Sequence, residues 1–150
     1  MEIKKILWPT DFSQSAEKAL PHVKSLMEKY DTEIHVLYVI EDTANHEPWY
    51  GMFDQERKDK LIEKAKETAN KRLEQICSKY LEGCPMYIRH IAIGDPAQEI
   101  LNFVKKENID MLVMATRGQK GNFPFGSVAE KIVKNSAVPV VTIPTREDII

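Results

Sequence analysis

Hydrophobic positions along the chain alternate between short β-branched runs and longer stretches with helical spacing. The short runs predict five strands, at residues 3–8, 33–40, 86–93, 110–115 and 138–143. The longer stretches predict four helices, at residues 13–30, 54–80, 96–107 and 127–135. Such alternation is typical of an α/β fold with a parallel sheet and helices on both faces. Because crossover connections are right-handed, a doubly wound, Rossmann-like open sheet is the simplest arrangement.

Local signals mark the ends of the first strand and the first helix. Pro9 is expected to stop the strand, and Ser13 is expected to cap the helix. Pro21 lies inside the helical stretch, where a proline costs about 3 kcal/mol. We therefore expect a kink or a break near this residue.

Two later helices carry capping signals. Asp95 is the expected N-cap of the third helix, with Pro96 in its first turn and Gln98 at the capping-box position. Ser127 and Glu130 have the spacing of a capping box for the last helix.

Length and composition favour one globular domain over residues 1–150. With 150 residues, of which 43 % are hydrophobic, the chain can bury a core and differs from a disordered chain. The 21 basic and 23 acidic side chains leave a net charge of −2, which argues against a nucleic-acid partner. No apolar run is long enough to span a membrane and the N-terminus lacks signal-peptide features, so we expect a cytoplasmic protein. Cys77 and Cys84 are expected to be free thiols, since their spacing fits neither a zinc site nor a redox pair.

A candidate ligand site follows from the predicted sheet. Open α/β sheets bind ligands beyond the carboxyl ends of their strands, where the strand order reverses. Three stretches meet this condition: residues 9–13, 39–42 and 116–127. The third ends in Gly126 and Ser127 at a helix start, which suits a phosphate, and Arg117 and Lys120 add positive charge nearby. Gly126 and Ser127 are equally compatible with a simple turn and cap.

Asp11 also has two interpretations. Its carboxylate can accept hydrogen bonds from a ribose or an adenine amine, or it can cap the first helix together with Ser13. It can in principle orient a water for slow phosphoanhydride hydrolysis, but no motif identifies a general base, so no efficient enzyme is expected. His35 and His90 are expected to be strand residues with ordinary hydrogen bonds, since no histidine spacing matches a zinc motif.

An aromatic group between Trp49 and Phe53 follows the second strand on the ligand side. Three roles are open for it: folding over a bound base, forming a partner surface, or packing against the second helix.

Several motifs together resemble the universal stress protein family. They are Pro9-Thr10-Asp11-Phe12-Ser13, Val36-Leu37-Tyr38-Val39, Gly94-Asp95-Pro96-Ala97-Gln98-Glu99-Ile100, Gly126-Ser127-Val128-Ala129-Glu130-Lys131-Ile132-Val133 and Val138-Pro139-Val140-Val141-Thr142-Ile143. The resemblance covers the whole chain, most weakly over residues 41–85. It implies a doubly wound sheet with the strand order 3-2-1-4-5.

The resemblance also implies a nucleotide site. Many members bind ATP through a loop written G-x2-G-x9-G-[S/T] after strand four, and others lack the loop and do not bind it. Carried over, Gly118 is the second glycine, Gly126 the third and Ser127 the hydroxyl residue. Two departures stand out: Ala115 occupies the first glycine position, and seven residues instead of nine separate Gly118 from Gly126.

The sequence thus predicts a stress-response sensor or switch that binds ATP, alone or with Mg²⁺. A nucleotide-free protein-interaction module of the same fold and a weak ATPase are the alternatives. Asp11 matches the ribose- and adenine-side aspartate of the family, and Val39 its adenine-side position on strand two. The full set of predicted binding residues is Pro9, Thr10, Asp11, Val39, Ala115, Arg117, Gly118, Gly126, Ser127 and Val128.

The last predicted strand, from Val138 to Ile143, indicates a homodimer. As the final element it should lie at a sheet edge, and Pro139 fits an edge because it cannot donate to a central ladder. The run is apolar on both faces, so a second copy is the expected cover. The family resemblance implies the same contact.

Overall fold

A computed structural model describes residues 2–41, 55–81, 87–116 and 126–144 of the chain. The strands are β1 (Lys5–Thr10), β2 (Glu33–Glu41), β3 (Tyr87–Gly94), β4 (Met111–Ala115) and β5 (Val140–Ile143). The helices are α1 (Gln14–Lys18), α2 (Leu20–Tyr30), α3 (Gln55–Leu81), α4 (Pro96–Lys106) and α5 (Ser127–Asn135). The first and last strands begin at Lys5 and Val140, slightly later than predicted.

The strands form one parallel sheet in the order β3-β2-β1-β4-β5. This order confirms the doubly wound fold and the strand order that the family resemblance implies. The chain starts in the centre, winds outward through β2 and β3, and then returns to the other side of β1 as β4 and β5. The winding direction therefore reverses between β1 and β4, which places the topological switch point there.

Each face of the sheet packs against its own set of helices. On one face Trp8 and Leu73 belong to a core shared by β1, β2, α1, α2 and α3, and on the other Leu112 of β4 and Ile132 of α5 belong to a second core that includes α4. All four side chains are fully buried. Burying one leucine or isoleucine contributes about 1.5–3 kcal/mol, and covering both faces explains why the strands are almost continuously apolar.

The first predicted helix is broken, as the proline indicated. α1 ends at Lys18, and α2 begins at Leu20 with Pro21 in its first turn. Proline is tolerated there because its missing N–H belongs to a position that has no intrahelical acceptor.

The prediction that Pro9 stops the first strand is wrong, because β1 continues through Pro9 to Thr10. The Lys5 carbonyl accepts a hydrogen bond from the Asp110 N–H, 2.9 Å away, so Lys5 faces β4. Alternate residues of a parallel strand face the same neighbour, and Pro9 therefore also faces β4. The pairing of β1 with β4 covers only Ile6 and Leu7, so Pro9 lies beyond the ladder that its missing N–H would have served.

Three capping predictions have different outcomes. The Ser13 hydroxyl accepts from the Ala16 N–H at 3.0 Å, and the Asp95 carboxylate accepts from the Gln98 N–H at 3.1 Å, which confirms both N-caps. The Gln98 side chain does not close a capping box, since it bonds Asn102 instead. The prediction for Ser127 is wrong: it occupies the first helical position of α5, and Gly126 is the N-cap.

Candidate functional site

The ladder between β1 and β4 ends before the carboxyl edge of the sheet, and we call the space between the ends of these two strands the crevice. The pairing of β1 with β4 covers Ile6 and Leu7, whereas its pairing with β2 continues to Thr10. The last residues of β1 therefore lie beside β4 without forming a ladder with it. Because the strand order reverses here, this is the place where a doubly wound sheet binds its ligand.

The loop after β1 forms one wall of the crevice and is held by its own side chains. The Thr10 hydroxyl accepts from the Phe12 N–H at 3.1 Å, and the Asp11 carboxylate accepts from the Ser13 N–H at 2.9 Å. Ser13 in turn caps α1. The capping interpretation of Asp11 is therefore confirmed, and its ligand-binding role stays a prediction. A carboxylate offers about four acceptor positions, so the two roles are compatible.

Thr116, which follows β4, and Gly126, which precedes α5, are hydrogen-bonded neighbours. The Thr116 N–H donates to the Ile143 carbonyl at 3.1 Å, and the Thr116 carbonyl accepts from the Gly126 N–H at 2.6 Å. The start of α5 is thereby fixed next to the end of β4. Arg117 and Gly118 of the predicted site, together with Lys120, lie outside the described residues.

α5 differs from α1 and α4 in having no side-chain cap. Gly126 adopts an extended backbone with φ −70° and ψ 157° and caps no amide. Glu130 pairs with Lys134 at 2.8 Å, and this hydrogen bond lowers the pKa of the Glu130 carboxyl below its usual range. Within the part of the chain that the structure describes, no side chain therefore accepts from the first amides of α5, from Ser127 to Ala129, and a helix start in this state suits an anion.

Ala115 and Val39 complete the predicted site. Ala115 lies in β4 and pairs with Ile143, and its backbone is not in the left-handed region that would require glycine. The register that pairs Thr10 with Tyr38 places Val39 level with Asp11. Val39 is only 7 % exposed because it packs beneath α4. Its main-chain groups are therefore what it can offer a ligand.

The structure also shows a partly buried, hydrogen-bonded cluster of Glu33, His35 and His90 that sequence reasoning missed. His35 Nδ1 lies 3.0 Å from His90 Nε2, and His35 Nε2 lies 3.0 Å from Glu33 Oε1. Burial, followed by the charge of neighbouring His35, lowers the pKa of His90. His35 precedes Val39 by four residues, which is about 13 Å along a strand, so this hydrogen-bonded cluster lies away from the crevice. Both histidines are strand residues, as predicted, but nothing in their spacing indicated that they bond each other.

The described residues contain neither a membrane-spanning helix nor a cluster of metal ligands. None of their helices is both long and apolar enough to cross a membrane. They contain no group of three or more His, Cys, Asp or Glu side chains placed to hold a metal ion. Cys77 is a free, buried thiol whose pKa is raised to about 11 by burial, and Cys84 lies outside the described residues.

The order of the strands defines a doubly wound α/β domain, and the crevice and the uncapped start of α5 lie at the switch point of its sheet. Comparison with known proteins is more specific, because the model of the universal stress protein family matches residues 2–144. The chain is 32 % identical over 157 residues to universal stress protein MJ0577 of Methanocaldococcus jannaschii, covering 93 % of this chain and 94 % of that protein. The solved structure of MJ0577 matches with a TM-score of 0.77 and 33 % identity over 99 % of this chain and all (100 %) of that one. The chain belongs to the universal stress protein family.

Two less similar solved structures share the fold. One is the universal stress protein from Archaeoglobus fulgidus in complex with dAMP, with a TM-score of 0.65, 20 % identity, and coverage of 95 % of this chain and 98 % of that chain. The other is a universal stress protein in complex with cAMP, with a TM-score of 0.62, 16 % identity, and coverage of 97 % of this chain and 100 % of that chain.

Proposed function

We propose that this protein binds an adenine nucleotide, ATP, in the crevice between β1 and β4 and acts as a sensor or switch in a stress response. The observation that carries the proposal is the uncapped start of α5 beside the switch point of the sheet. Free amides and the positive end of a helix dipole favour phosphate. Members of the same fold in complex with dAMP and cAMP support an adenine nucleotide as the ligand class.

The described residues suit the two ends of such a ligand. The amides of Ser127 and Val128 face the anion, and Gly126 leaves room for it because glycine has no side chain. Asp11, directly after β1, accepts hydrogen bonds from the ribose or the adenine amine. Pro9 and Thr10 form the floor between these two ends. In the sequence, Arg117 and Gly118 follow β4 and add a positive charge and a second glycine.

Mg²⁺ and hydrolysis are secondary in this proposal. Mg²⁺ in nucleotide sites is held largely through the phosphates, so it would arrive with the ATP. Among the residues of the crevice, Asp11 is the carboxylate that would meet it. Binding, rather than turnover, is the proposed activity, because the sequence contains no Walker motif and no recognisable general base.

The test uses the purified full chain. Denaturing the protein should release a nucleotide into the supernatant, and calorimetry on nucleotide-free protein should show saturable ATP binding. Gly126→Val should abolish that binding, because its side chain blocks the backbone approach, while the backbone at residue 126 has a φ that any residue can adopt. Val133→Ala, at an exposed position of the same helix, is the control. ATP affinity that is unchanged in Gly126→Val would overturn the assignment.

One observation favours the alternative of a protein-interaction module without nucleotide. Seven residues separate Gly118 from Gly126, whereas the family spacing is nine. Under this alternative the supernatant contains no nucleotide and ATP produces no binding heat in the wild type.

We further propose a homodimer joined through β5. The strand lies at an edge of the sheet, and Val140, Val141 and Thr142 remain half-buried in the single chain. An apolar strand with unpaired backbone groups on one side favours pairing with a second copy.

A further inference from the structure

Phe12 has a backbone conformation that aromatic residues rarely adopt. Its φ is 64°, in the left-handed region, although it is neither glycine nor asparagine. Such a residue persists only where its surroundings hold it, and residues of this kind cluster at functional sites. Phe12 follows Asp11 directly, in the loop that forms a wall of the crevice.

Phe12 belongs to the buried core on the face of α1, α2 and α3, and two further side chains contact its ring. The Tyr38 ring lies 4.3 Å away between centroids, with 34° between the planes. The guanidinium carbon of Arg72 lies 4.4 Å from the Phe12 centroid, within the range of a cation–π contact. Arg72 is exposed, but it comes from the part of α3 whose Ala69 and Leu73 are buried in the core. α3 therefore presents the guanidinium from a fixed position.

The backbone of Phe12 carries or adjoins two amides that make polar contacts within the loop. Its N–H donates to Thr10, and the next N–H, that of Ser13, donates to Asp11. A rotation of Phe12 out of the left-handed region would turn both amides. The direction of the Asp11 carboxylate therefore depends on the Phe12 conformation.

We propose that Arg72 is a positioning residue of the nucleotide site. It holds the Phe12 ring, the ring holds the strained backbone, and the backbone aims Asp11 at the ribose and base. The inference rests on the proposed nucleotide function and adds to it a residue from a helix that does not line the crevice.

Two measurements on the full chain test this role. Calorimetry gives the ATP affinity, and amide exchange measured by NMR gives the opening of the loop at Phe12 and Ser13. Arg72→Ala should weaken ATP binding about two- to fivefold and speed both amides by a similar factor, as expected for the loss of one exposed cation–π contact. Arg72→Lys keeps the charge with a poorer stacking group, so it should restore part of both effects. Lys71→Ala removes an exposed positive charge from the adjacent position and should change neither.

The outcomes separate this inference from the proposed function. If the wild type binds no ATP, the proposed function fails and the positioning role fails with it. If the wild type binds ATP and Arg72→Ala binds it equally well, the positioning role alone is wrong. Equal losses in Arg72→Ala and Lys71→Ala would also overturn it, because they would indicate a general charge effect.

Discussion

Replacing Gly126 with aspartate should stabilise the fold and weaken ATP binding at the same time. Gly126 has φ −70° and ψ 157°, almost the same as the N-cap Ser13, with φ −75° and ψ 159°. The Ser13 hydroxyl reaches the amide three residues on at 3.0 Å. An aspartate at position 126 can therefore reach the Ala129 amide in the same way and occupy the anion site itself.

The two effects have different sizes. At an N-cap, aspartate is better than glycine by a few tenths of a kcal/mol, which raises the melting temperature of a domain of this size by about 1 °C. A hydrogen bond to a charged group contributes about 1.5–3 kcal/mol, so the loss of one phosphate contact costs about 2 kcal/mol, or about thirtyfold in affinity. Repulsion between the carboxylate and the phosphates adds to this loss.

Calorimetric titration with ATP measures the affinity, and scanning calorimetry without nucleotide measures the stability. Gly126→Asn is the matched control, since asparagine caps about as well as aspartate but is neutral. It should give a similar gain in melting temperature and a smaller loss of affinity. A Gly126→Asp protein that is folded, at least as stable as the wild type and unchanged in ATP affinity would refute the assignment of the phosphate to this helix start.

Three further predictions concern pH, assembly and turnover. Burial and the charge of His35 lower the pKa of His90 from its ordinary 6.5, against the opposing charge of Glu107. Around pH 6.5 the unfolded chain therefore binds more protons than the folded one, and the unfolding free energy should fall as the pH is lowered from about 7 through this ordinary value. His90→Gln should flatten this dependence in denaturant titrations, and an equally steep curve would contradict the cause. Val141→Asp should convert a dimer into a monomer by placing a charge in the β5 contact. Light scattering at tens of micromolar protein, on the order of the affinity of a modest interface, tests this. A monomeric wild type, or a dimer that persists in the variant, would count against it. ATP hydrolysis should be slower than about 1 s⁻¹, and faster turnover in a steady-state phosphate-release assay would show that a catalytic group was missed.

The fold was largely predictable because its signals are local. The alternation of strands and helices, the break at Pro21 and the caps at Ser13 and Asp95 all depend on neighbouring residues. Pro9 was misinterpreted because the rule against proline in central strands does not say which neighbour the missing N–H faces. In this sheet it faces β4 beyond the end of the ladder, where no bond is lost.

The position of the site was predictable from the sequence, but the contacts that hold its residues in place were not. A glycine before a helix indicates Gly126 and Ser127 as the anion site, although the N-cap is Gly126 and not Ser127 as predicted. The contact of Arg72 with Phe12 joins residues far apart in the chain, and no spacing indicates it. The left-handed backbone of Phe12 also has no sequence signal, because propensity disfavours it and the surrounding packing imposes it.

In the proposed complex, an adenine nucleotide lies in the crevice with its phosphates at the start of α5. Titrating ¹⁵N-labelled, nucleotide-free protein with ATP and following each backbone amide by NMR tests it most directly. We expect saturable shifts that are largest at Ser127, Val128 and Ala129 and that extend to Asp11. Absence of saturable shifts, or shifts concentrated elsewhere, such as the groove between α4 and α5 lined by Gln98, Lys105 and Lys131, would contradict the claim.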